Sequence, residues 1–312
     1  MLLTVDADER SPERLREWTA RLEAGDILFF PRSPITFPDD DLRFLLAQEQ
    51  VGAGYHKNIA YRPARSPNRA GRVTGSVKSS PDSEERLRRI MRDYSQNVLA
   101  FLSRFLSPYQ QRWHVDYASY RPQAEEARQL ALRKRNDLLH TDAFPTRPTR
   151  GDRIFRFFNN INPKPDGTRH WVTGGTFREL ASRYTAHAPA PEGKIALPTP
   201  VSSLGKIKQA IGALTPIHAI APSLARSPYD AFMMDFHNFL KENADYQRDC
   251  EKQHIRFPPG SSWMVYTDTV SHAVLAGQFA LEQTLLVRHE AMVAPESSPL
   301  RTLERMAGGK LV

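Results

Sequence analysis

The sequence predicts an α+β protein with a mainly β core, and three observations support this prediction. Proline is abundant, with 24 among 312 residues, which favours loops and β-rich architecture over bundles of helices. Short apolar runs bounded by Pro, Gly or Asp recur along the chain, as in residues 27–30 and 153–162, and such runs are typical of buried strands. Apolar stripes at helical spacing are fewer, and the clearest covers residues 82–106.

The order of the elements follows from the spacing of apolar residues along the chain. Apolar residues three and four apart predict helices, whereas short apolar or alternating runs predict strands. Helices are predicted over residues 11–22, 38–50, 82–106, 123–131, 175–184, 204–213 and 229–247. Strands are predicted over residues 27–30, 55–61, 112–120, 153–162, 254–257, 262–268 and 276–287, with a further strand ending near 140.

Local signals justify several of these boundaries. Ser11 can cap the first helix, and Pro12 suits its first position because the missing N–H has no helical partner there. Pro31 ends the first strand because proline cannot donate to a ladder. Residues 163–167 and 258–260 are proline- and glycine-rich turns that separate later strands.

Composition narrows the classes of partner. The net charge is +8, which indicates an anionic partner such as nucleic acid, an anionic membrane surface or an acidic substrate, or simply a basic protein. The single cysteine, Cys250, excludes an internal disulfide. No apolar run reaches the roughly 18 residues that a membrane-spanning helix needs, and the first apolar run is too short for a signal peptide.

A candidate metal site begins at His140. Side chains alternate along a strand, so His140 and Asp142 point the same way and can bind one metal together. His272, far downstream between two predicted strands, is the candidate third ligand. Two histidines and a carboxylate form the facial triad of non-haem Fe(II) oxygenases. The pair His114 and Asp116 has the same form, but a predicted helix follows it, whereas a loop and a long apolar strand follow Asp142.

Such a spacing suits a double-stranded β-helix barrel of the jelly-roll or cupin-like type. An early strand of that barrel supplies the His-x-Asp pair, and a late strand supplies the distal histidine. We therefore expect one domain over residues 1–312, with a helical and strand decoration over about 1–110 and the catalytic barrel over about 111–290. Packed helices and long proline-rich insertions complete it, and the tail over about 291–312 shows no core residues.

Arg288 is a candidate for binding a second carboxylate. It ends the predicted strand after His272, and a guanidinium can make a bidentate pair with the far carboxylate of 2-oxoglutarate. Each of these features is common by itself. The alternative interpretation is that His140 and His272 are ordinary core or loop histidines. The order of the features along the chain favours the oxygenase interpretation.

Longer stretches of the chain resemble one bacterial family. They are RNDLLHTDAFPTRPTRG at 135–151, RFFNNINP at 156–163, VYTDTVSH at 265–272 and YHKNI at 55–59, and the similarity runs over most of residues 15–290. They resemble the Kdo hydroxylases, which are Fe(II)/2-oxoglutarate-dependent dioxygenases. The resemblance implies hydroxylation of C3 of a Kdo sugar in the lipopolysaccharide inner core (Kdo-lipid A) to give Ko, with release of succinate and CO₂.

The resemblance also implies roles for individual residues. His140, Asp142 and His272 would be the catalytic Fe(II) ligands, with 2-oxoglutarate and O₂ as co-substrates. Arg288, or alternatively Arg156, would anchor 2-oxoglutarate, and Asn160 could hydrogen-bond it. Candidate substrate contacts are basic residues near the predicted metal or on the adjoining segments. They are Arg147, Arg150, Arg121, Arg133 and Lys57.

The expected partners follow from the substrate. A Kdo-containing lipid A is anionic, so a protein of charge +8 without a spanning helix could dock on the anionic membrane surface. We expect a cytoplasmic protein associated peripherally with the inner membrane of a bacterium. No aromatic and basic RNA-binding signature indicates nucleic acid, and nothing indicates an obligate protein partner. The alternatives are a non-catalytic basic protein that binds anionic glycolipid, and a cupin-like metal-dependent isomerase or hydrolase.

Overall fold

The computed structural model describes residues 1–49, 58–64, 70–77, 80–127, 130–186, 199–200 and 227–312. The described residues contain seven α-helices and 13 strands. The helices are α1 (Pro12–Glu23), α2 (Asp39–Leu46), α3 (Pro81–Phe105), α4 (Phe177–Tyr184), α5 (Pro228–Glu242), α6 (Ala244–Asp249) and α7 (Pro299–Ala307). The first nine strands are β1 (Leu2–Thr4), β2 (Ile27–Phe30), β3 (Ile59–Arg62), β4 (Arg72–Thr74), β5 (Trp113–Arg121), β6 (Arg153–Asn160), β7 (Arg169–Thr176), β8 (Thr185–Ala186) and β9 (Thr199–Pro200). The last four are β10 (Gln253–Phe257), β11 (Ser262–Tyr266), β12 (Val270–Ala276) and β13 (Ala280–Val287).

Two sheets carry most of the strands. The larger has eight strands in the order β1-β2-β11-β6-β13-β5-β3-β4, and all its pairs are antiparallel except β1 with β2. The smaller has the order β10-β7-β12 and is antiparallel throughout. The fold is therefore a mixed α and β structure with a large antiparallel sheet, as predicted.

Alternation along the central strands builds a layered core. On β6, Phe157 packs with α3 on the outer face, while the next residue, Phe158, packs between the two sheets. On β7, Trp171 likewise faces the larger sheet, and Val172 faces helices on the opposite side. Because neighbouring residues enter different clusters, the two sheets lie face to face with helices outside each of them.

Aromatic rings fill the space between the sheets. The ring of Trp263 stacks on Phe257 at 3.9 Å between centroids and on Phe158 at 5.1 Å, and Trp171 meets Trp263 edge to face at 5.6 Å. Each such side chain buries a large apolar area, and the offset or edge-to-face arrangements add further attraction. Two of these aromatic residues, Phe158 and Trp171, also line the cavity described below.

Helices cover both outer faces. Ser11 caps α1 by accepting from the N–H of Arg14, as its sequence predicts, and Ser80 caps α3 by accepting from the N–H of Ser83. Trp18 of α1 stacks on Phe105 of α3 against the larger sheet. Among the described residues, none of the helices combines the length and apolar character needed to cross a membrane.

The prediction that the C-terminal tail contributes no core residues is wrong. Ser298 caps α7, and Leu300, Leu303 and Leu311 are buried with α4 and α5 in the cluster behind the smaller sheet. The tail is short, so its apolar residues gain burial only from surfaces formed by distant parts of the chain. Sequence periodicity over so few residues gives little indication of such packing.

Two other predicted helices differ from the structure. The predicted helix over residues 123–131 is a single 3₁₀ turn, Glu125–Ala127, within the part of that segment that is described. The predicted helix over 229–247 divides at Asn243, whose side chain caps the short second helix α6. The predicted helix over 204–213 lies outside the described residues.

Candidate active site

A cavity of about 810 Å³ opens between the smaller sheet, strand β6 and helix α5. Its walls include His140, Asp142 and His272, which the sequence predicts as metal ligands. Basic side chains outnumber acidic ones in the lining. The cavity therefore brings candidate metal ligands together with several basic side chains.

Backbone pairing brings the two distant histidines together. His140 makes an isolated antiparallel bridge with His272, with N–H to carbonyl distances of 3.1 and 2.9 Å. The segment around His140 thus adds to the free edge of β12, although it is shorter than the predicted strand. The N–H of Asp142 then donates to Thr267 at 2.7 Å, which ties the same segment to the end of β11.

The three predicted ligands lie close together. Nε2 of His140 is 3.6 Å from Oδ1 of Asp142, as expected for residues two apart on an extended segment. The rings of His140 and His272 are 4.8 Å apart between centroids, and Trp171 stacks on His272 at 5.3 Å. Indole packing restricts the orientation of the His272 ring and excludes water from that side of it.

His237 of α5 is a fourth group at the same place, and the sequence analysis missed it. Its ring meets the ring of His140 edge to face at 4.9 Å. Potential ligand atoms of His140, Asp142 and His237 all lie within 4.8 Å of one another, so this set could also hold a metal. The available signal was a histidine four residues before Lys241 on the buried face of an amphipathic helix.

Each of the three histidines is oriented by a backbone carbonyl. Nδ1 of His140 lies 2.6 Å from the carbonyl of Leu138, and Nδ1 of His272 lies 2.9 Å from that of Val270. Nδ1 of His237 lies 2.7 Å from the carbonyl of Thr141. A carbonyl only accepts, so Nδ1 carries the proton and Nε2 carries the lone pair of the neutral ring. This arrangement is typical of metal-binding histidines.

Protonation states favour cation binding. Burial lowers the pKa of His140 well below its ordinary value, and burial also lowers the pKa of His272. Burial opposes the ionisation of Asp142, but Arg156 and His140 outweigh it and hold its pKa well below the ordinary value. At neutral pH the set therefore consists of neutral imidazoles and an ionised carboxylate, which are the forms that a metal ion requires.

A buried ion-pair network supports this site. Nε of Arg156 is 2.9 Å from Oδ2 of Asp142, although the angle is poor for a hydrogen bond. The Nη1 group of Arg156 donates to Glu282, and Nη2 of Arg121 donates to the second oxygen of the same carboxylate. Burial opposes the ionisation of Glu282, but Arg156 and Arg121 outweigh it and lower its pKa from 4.5 to about 2. Glu282 therefore fixes both arginines in the cavity wall.

Lys241 of α5 is a second residue that the sequence analysis missed. It lines the cavity, yet its side chain is only 3% exposed. Its Nζ donates to the carbonyl of Arg133 at 3.1 Å. Burial lowers the pKa of Lys241 to about 8, while Asp142 and Asp137 act in the opposite direction. The ammonium is therefore still mostly charged at neutral pH.

The structure does not place all predicted co-substrate residues in the cavity. Arg156 lines it, but Arg288 is exposed beyond the end of β13 and is not part of the lining. β13 ends at Val287, so Arg288 follows the strand rather than lying on it. The side-chain N–H groups of Asn160 donate to Gly167 and Phe257, which gives this buried amide a structural role outside the cavity.

Only some of the predicted substrate residues line the cavity. Arg121 and Arg133 line the cavity, whereas Arg150 is exposed and does not. Arg147 lies in a neighbouring pocket of about 420 Å³, where it pairs with Asp116 and packs over the rings of Tyr117 and Phe144. Lys57 lies outside the described residues.

The alternative His-x-Asp pair does not form part of the cavity lining. His114 is exposed on β5, and Asp116 is engaged by Arg147. The structure thus assembles His140, Asp142 and His272 and keeps the similar pair apart from them.

Comparisons with known proteins agree with this geometry. The sequence model of the family described as 3-deoxy-D-manno-oct-2-ulosonic acid (Kdo) hydroxylase matches residues 5–310. A search of curated proteins found no match. Crystal structures of the Kdo hydroxylase KdoO, a non-haem Fe(II) alpha-ketoglutarate-dependent dioxygenase, are 30% identical to this chain and cover 100% of it and 97% of their own chains. The TM-score is 0.76 for the complexes with alpha-ketoglutarate and Fe(III) and with succinate and Fe(III), and 0.78 for that with cobalt(II).

The fold and these comparisons show the class of enzyme to which the chain belongs. It is a non-haem Fe(II)/2-oxoglutarate-dependent dioxygenase. Its match to the family model extends over almost the whole chain. The chain belongs to the Kdo hydroxylase family.

Proposed function

We propose that this protein hydroxylates C3 of a Kdo residue in the lipopolysaccharide inner core, with 2-oxoglutarate and O₂ as co-substrates and succinate and CO₂ as products. The observation that carries the proposal is the meeting of His140, Asp142 and His272 inside a basic cavity. Membership of the Kdo hydroxylase family supports the reaction and the substrate. The two facing sheets support a double-stranded β-helix as the scaffold.

His140, Asp142 and His272 are the Fe(II) ligands in this proposal. Their donor set fits the metal, because two neutral imidazoles and one carboxylate match the facial triad of non-haem Fe(II) enzymes. The bound Fe(II) supplies the oxidative chemistry that couples decarboxylation of 2-oxoglutarate to oxygen insertion into a C–H bond. The chain contributes binding, orientation and exclusion of water. Trp171 and Phe158 supply apolar walls for that purpose.

His237 is assigned a role beside the metal rather than on it. His140 and His272 are joined by backbone hydrogen bonds between neighbouring extended segments, which fixes the distance between them. His237 instead approaches from α5, and its ring is edge-on to His140. A group on a separate helix is well placed to contact the substrate or co-substrate.

Arg156 is the proposed anchor for the far carboxylate of 2-oxoglutarate. Its Nη1 is bonded to Glu282 and its Nε faces Asp142, but Nη2 makes no hydrogen bond with any described residue. A carboxylate can therefore accept from Nη2 without displacing the pairs that hold the guanidinium. Arg288, at the far end of β13, is not proposed for this role.

The protein is further proposed to act at an anionic membrane surface. Its substrate is anchored in a bilayer by lipid A, and the net charge of +8 favours attraction to anionic lipid headgroups. Sedimentation with vesicles of phosphatidylglycerol and phosphatidylethanolamine tests this step. We expect binding that weakens as the salt concentration rises.

The reaction itself is tested by incubating anaerobically purified protein with Fe(II), 2-oxoglutarate, O₂ and Kdo-lipid A. Succinate is measured together with the mass of the lipid. We expect succinate release to match the gain of one oxygen atom on the Kdo residue. The H140A variant should lose both signals, whereas H114A, which removes the exposed histidine of the similar motif, should retain them. Succinate release without oxygen gain would reject the proposed substrate.

A further inference from the structure

Helix α5 places one buried cation in the cavity wall. The apolar residues of this helix, including Phe236 and Leu240, pack into the cluster behind the smaller sheet. His237 and Lys241 are four residues apart and therefore share the face that meets the cavity. The polar face of α5 therefore lines the cavity, while its apolar face packs behind the smaller sheet.

The other buried or partly buried cations of the cavity have carboxylate partners. Arg121 and Arg156 share Glu282, and Arg169 lies 3.6 Å from Glu125. At the rim, the exposed Arg133 pairs with Glu242. These pairs offset much of the cost of placing a guanidinium in a partly buried wall.

Lys241 lacks such a pair. Its Nζ makes one hydrogen bond, to the carbonyl of Arg133, and has no carboxylate within 4.0 Å in the part of the chain that is described. An ammonium has three donors, so two remain available. Lys134 also lines the cavity without a carboxylate partner among those residues, but it is exposed and solvated. A buried cation that has no directly paired carboxylate costs free energy that an anionic ligand can recover.

We propose that Lys241 binds the carboxylate of the sugar-acid substrate. The inference rests on the proposed function, and it adds a specificity-determining residue to it. Lys241 is bonded to the backbone of Arg133 and lies on the side of the cavity where Arg133 and Lys134 are exposed. An anionic substrate entering from solvent meets that side first. Arg156, whose Nε lies 2.9 Å from Oδ2 of Asp142, is the proposed co-substrate anchor in the same cavity.

The test compares a Kdo glycoside with the same sugar carrying a carboxamide in place of its carboxylate. Both are titrated calorimetrically, without O₂, into Fe(II)- and 2-oxoglutarate-loaded protein. A charge-assisted hydrogen bond contributes about 1.5–3 kcal/mol, so we expect the wild type to prefer the carboxylate by about 10- to 100-fold. K241M should bind both sugars with nearly equal affinity. K134M, which removes an exposed positive charge from the same cavity, should retain most of the preference.

The 2-oxoglutarate affinity of the Fe(II)-loaded protein is measured in parallel and should be unchanged in K241M. A loss of 2-oxoglutarate affinity with the sugar preference retained would overturn the inference, because Lys241 would then bind the co-substrate. Retention of the sugar preference in K241M with unchanged 2-oxoglutarate affinity would overturn it as well. K241Q keeps a donor for the Arg133 carbonyl and provides the same comparison if K241M fails to fold.

Turnover and sugar binding by the wild type distinguish a failure of this inference from a failure of the proposed function. A wild type that turns over Kdo-lipid A but binds both sugars equally well overturns the assignment of Lys241 and leaves the proposed function intact. A wild type that binds neither sugar and produces no hydroxylated lipid overturns the proposed substrate, and the assignment of Lys241 to it is overturned with it.

Discussion

Replacing Glu282 by Gln should destabilise the protein by about 3 kcal/mol at pH 7. Glu282 is 1% exposed and is the shared partner of Arg121 and Arg156. Its pKa falls from 4.5 to about 2 in the folded protein, and each unit corresponds to about 1.4 kcal/mol. This value agrees with the typical cost of removing one partner of a buried ion pair, which is about 3–5 kcal/mol. Urea unfolding of the wild type and E282Q measures the difference directly.

The pH dependence of this difference has a definite sign. The folded pKa of Glu282 is lowered, so its contribution is fully present above the unfolded pKa and is lost as the pH falls through the folded value. The difference between the wild type and E282Q should therefore be constant above about pH 5 and shrink between about pH 4.5 and 2. E290Q removes an exposed carboxylate and should change stability by less than about 0.5 kcal/mol. A difference below about 1 kcal/mol for E282Q at pH 7, or one that grows on acidification, would refute the reasoning.

Three further predictions concern the metal, the co-substrate and the tail. H140A and H272A should each weaken Fe(II) or Co(II) binding by at least about tenfold in a calorimetric titration, whereas H237A should retain most of the metal affinity. If H237A loses metal affinity and H272A keeps it, His237 is the ligand. R156K keeps a charge beside Asp142 but loses the planar guanidinium, so the Kd for 2-oxoglutarate, titrated without O₂, should rise about tenfold while metal binding remains. L303A should lower the free energy of unfolding by about 2–5 kcal/mol because this residue of α7 is fully buried, and an effect below about 1 kcal/mol would mean that the tail packs weakly.

Local sequence determines much of the site. His140 and Asp142 are two residues apart on an extended segment, and that spacing alone directs both side chains to one place. Most strands of the larger sheet and most helices follow from the same kind of local pattern, because apolar period and capping residues act over a few positions. Strands β7 and β12 of the smaller sheet are not predicted, and His272, which is expected between two strands, lies on β12. Ser11 and Pro12 at the start of α1 are an example in which the predicted cap is the observed one.

Pairing and packing over long distances decide the rest. His272 meets His140 because two segments far apart in the chain join at the edge of the smaller sheet. His237 and Lys241 enter the cavity because the apolar face of α5 docks behind that sheet, and no local pattern specifies the docking partner. The position of Arg288 outside the cavity likewise depends on the pairing of β13 within the larger sheet, which no local pattern specifies.

The sequence by itself determined the β-rich class, the His-x-Asp pair, the distal histidine and the family resemblance, because these depend on residue types and their order. Only the tertiary structure decided which cations line the cavity and which of them are already paired. Ion pairs such as Arg156 with Glu282 and Arg147 with Asp116 join residues whose separation in sequence carries no information about contact. The buried position of Lys241 has the same origin, since burial is a property of the assembled layers rather than of any one segment.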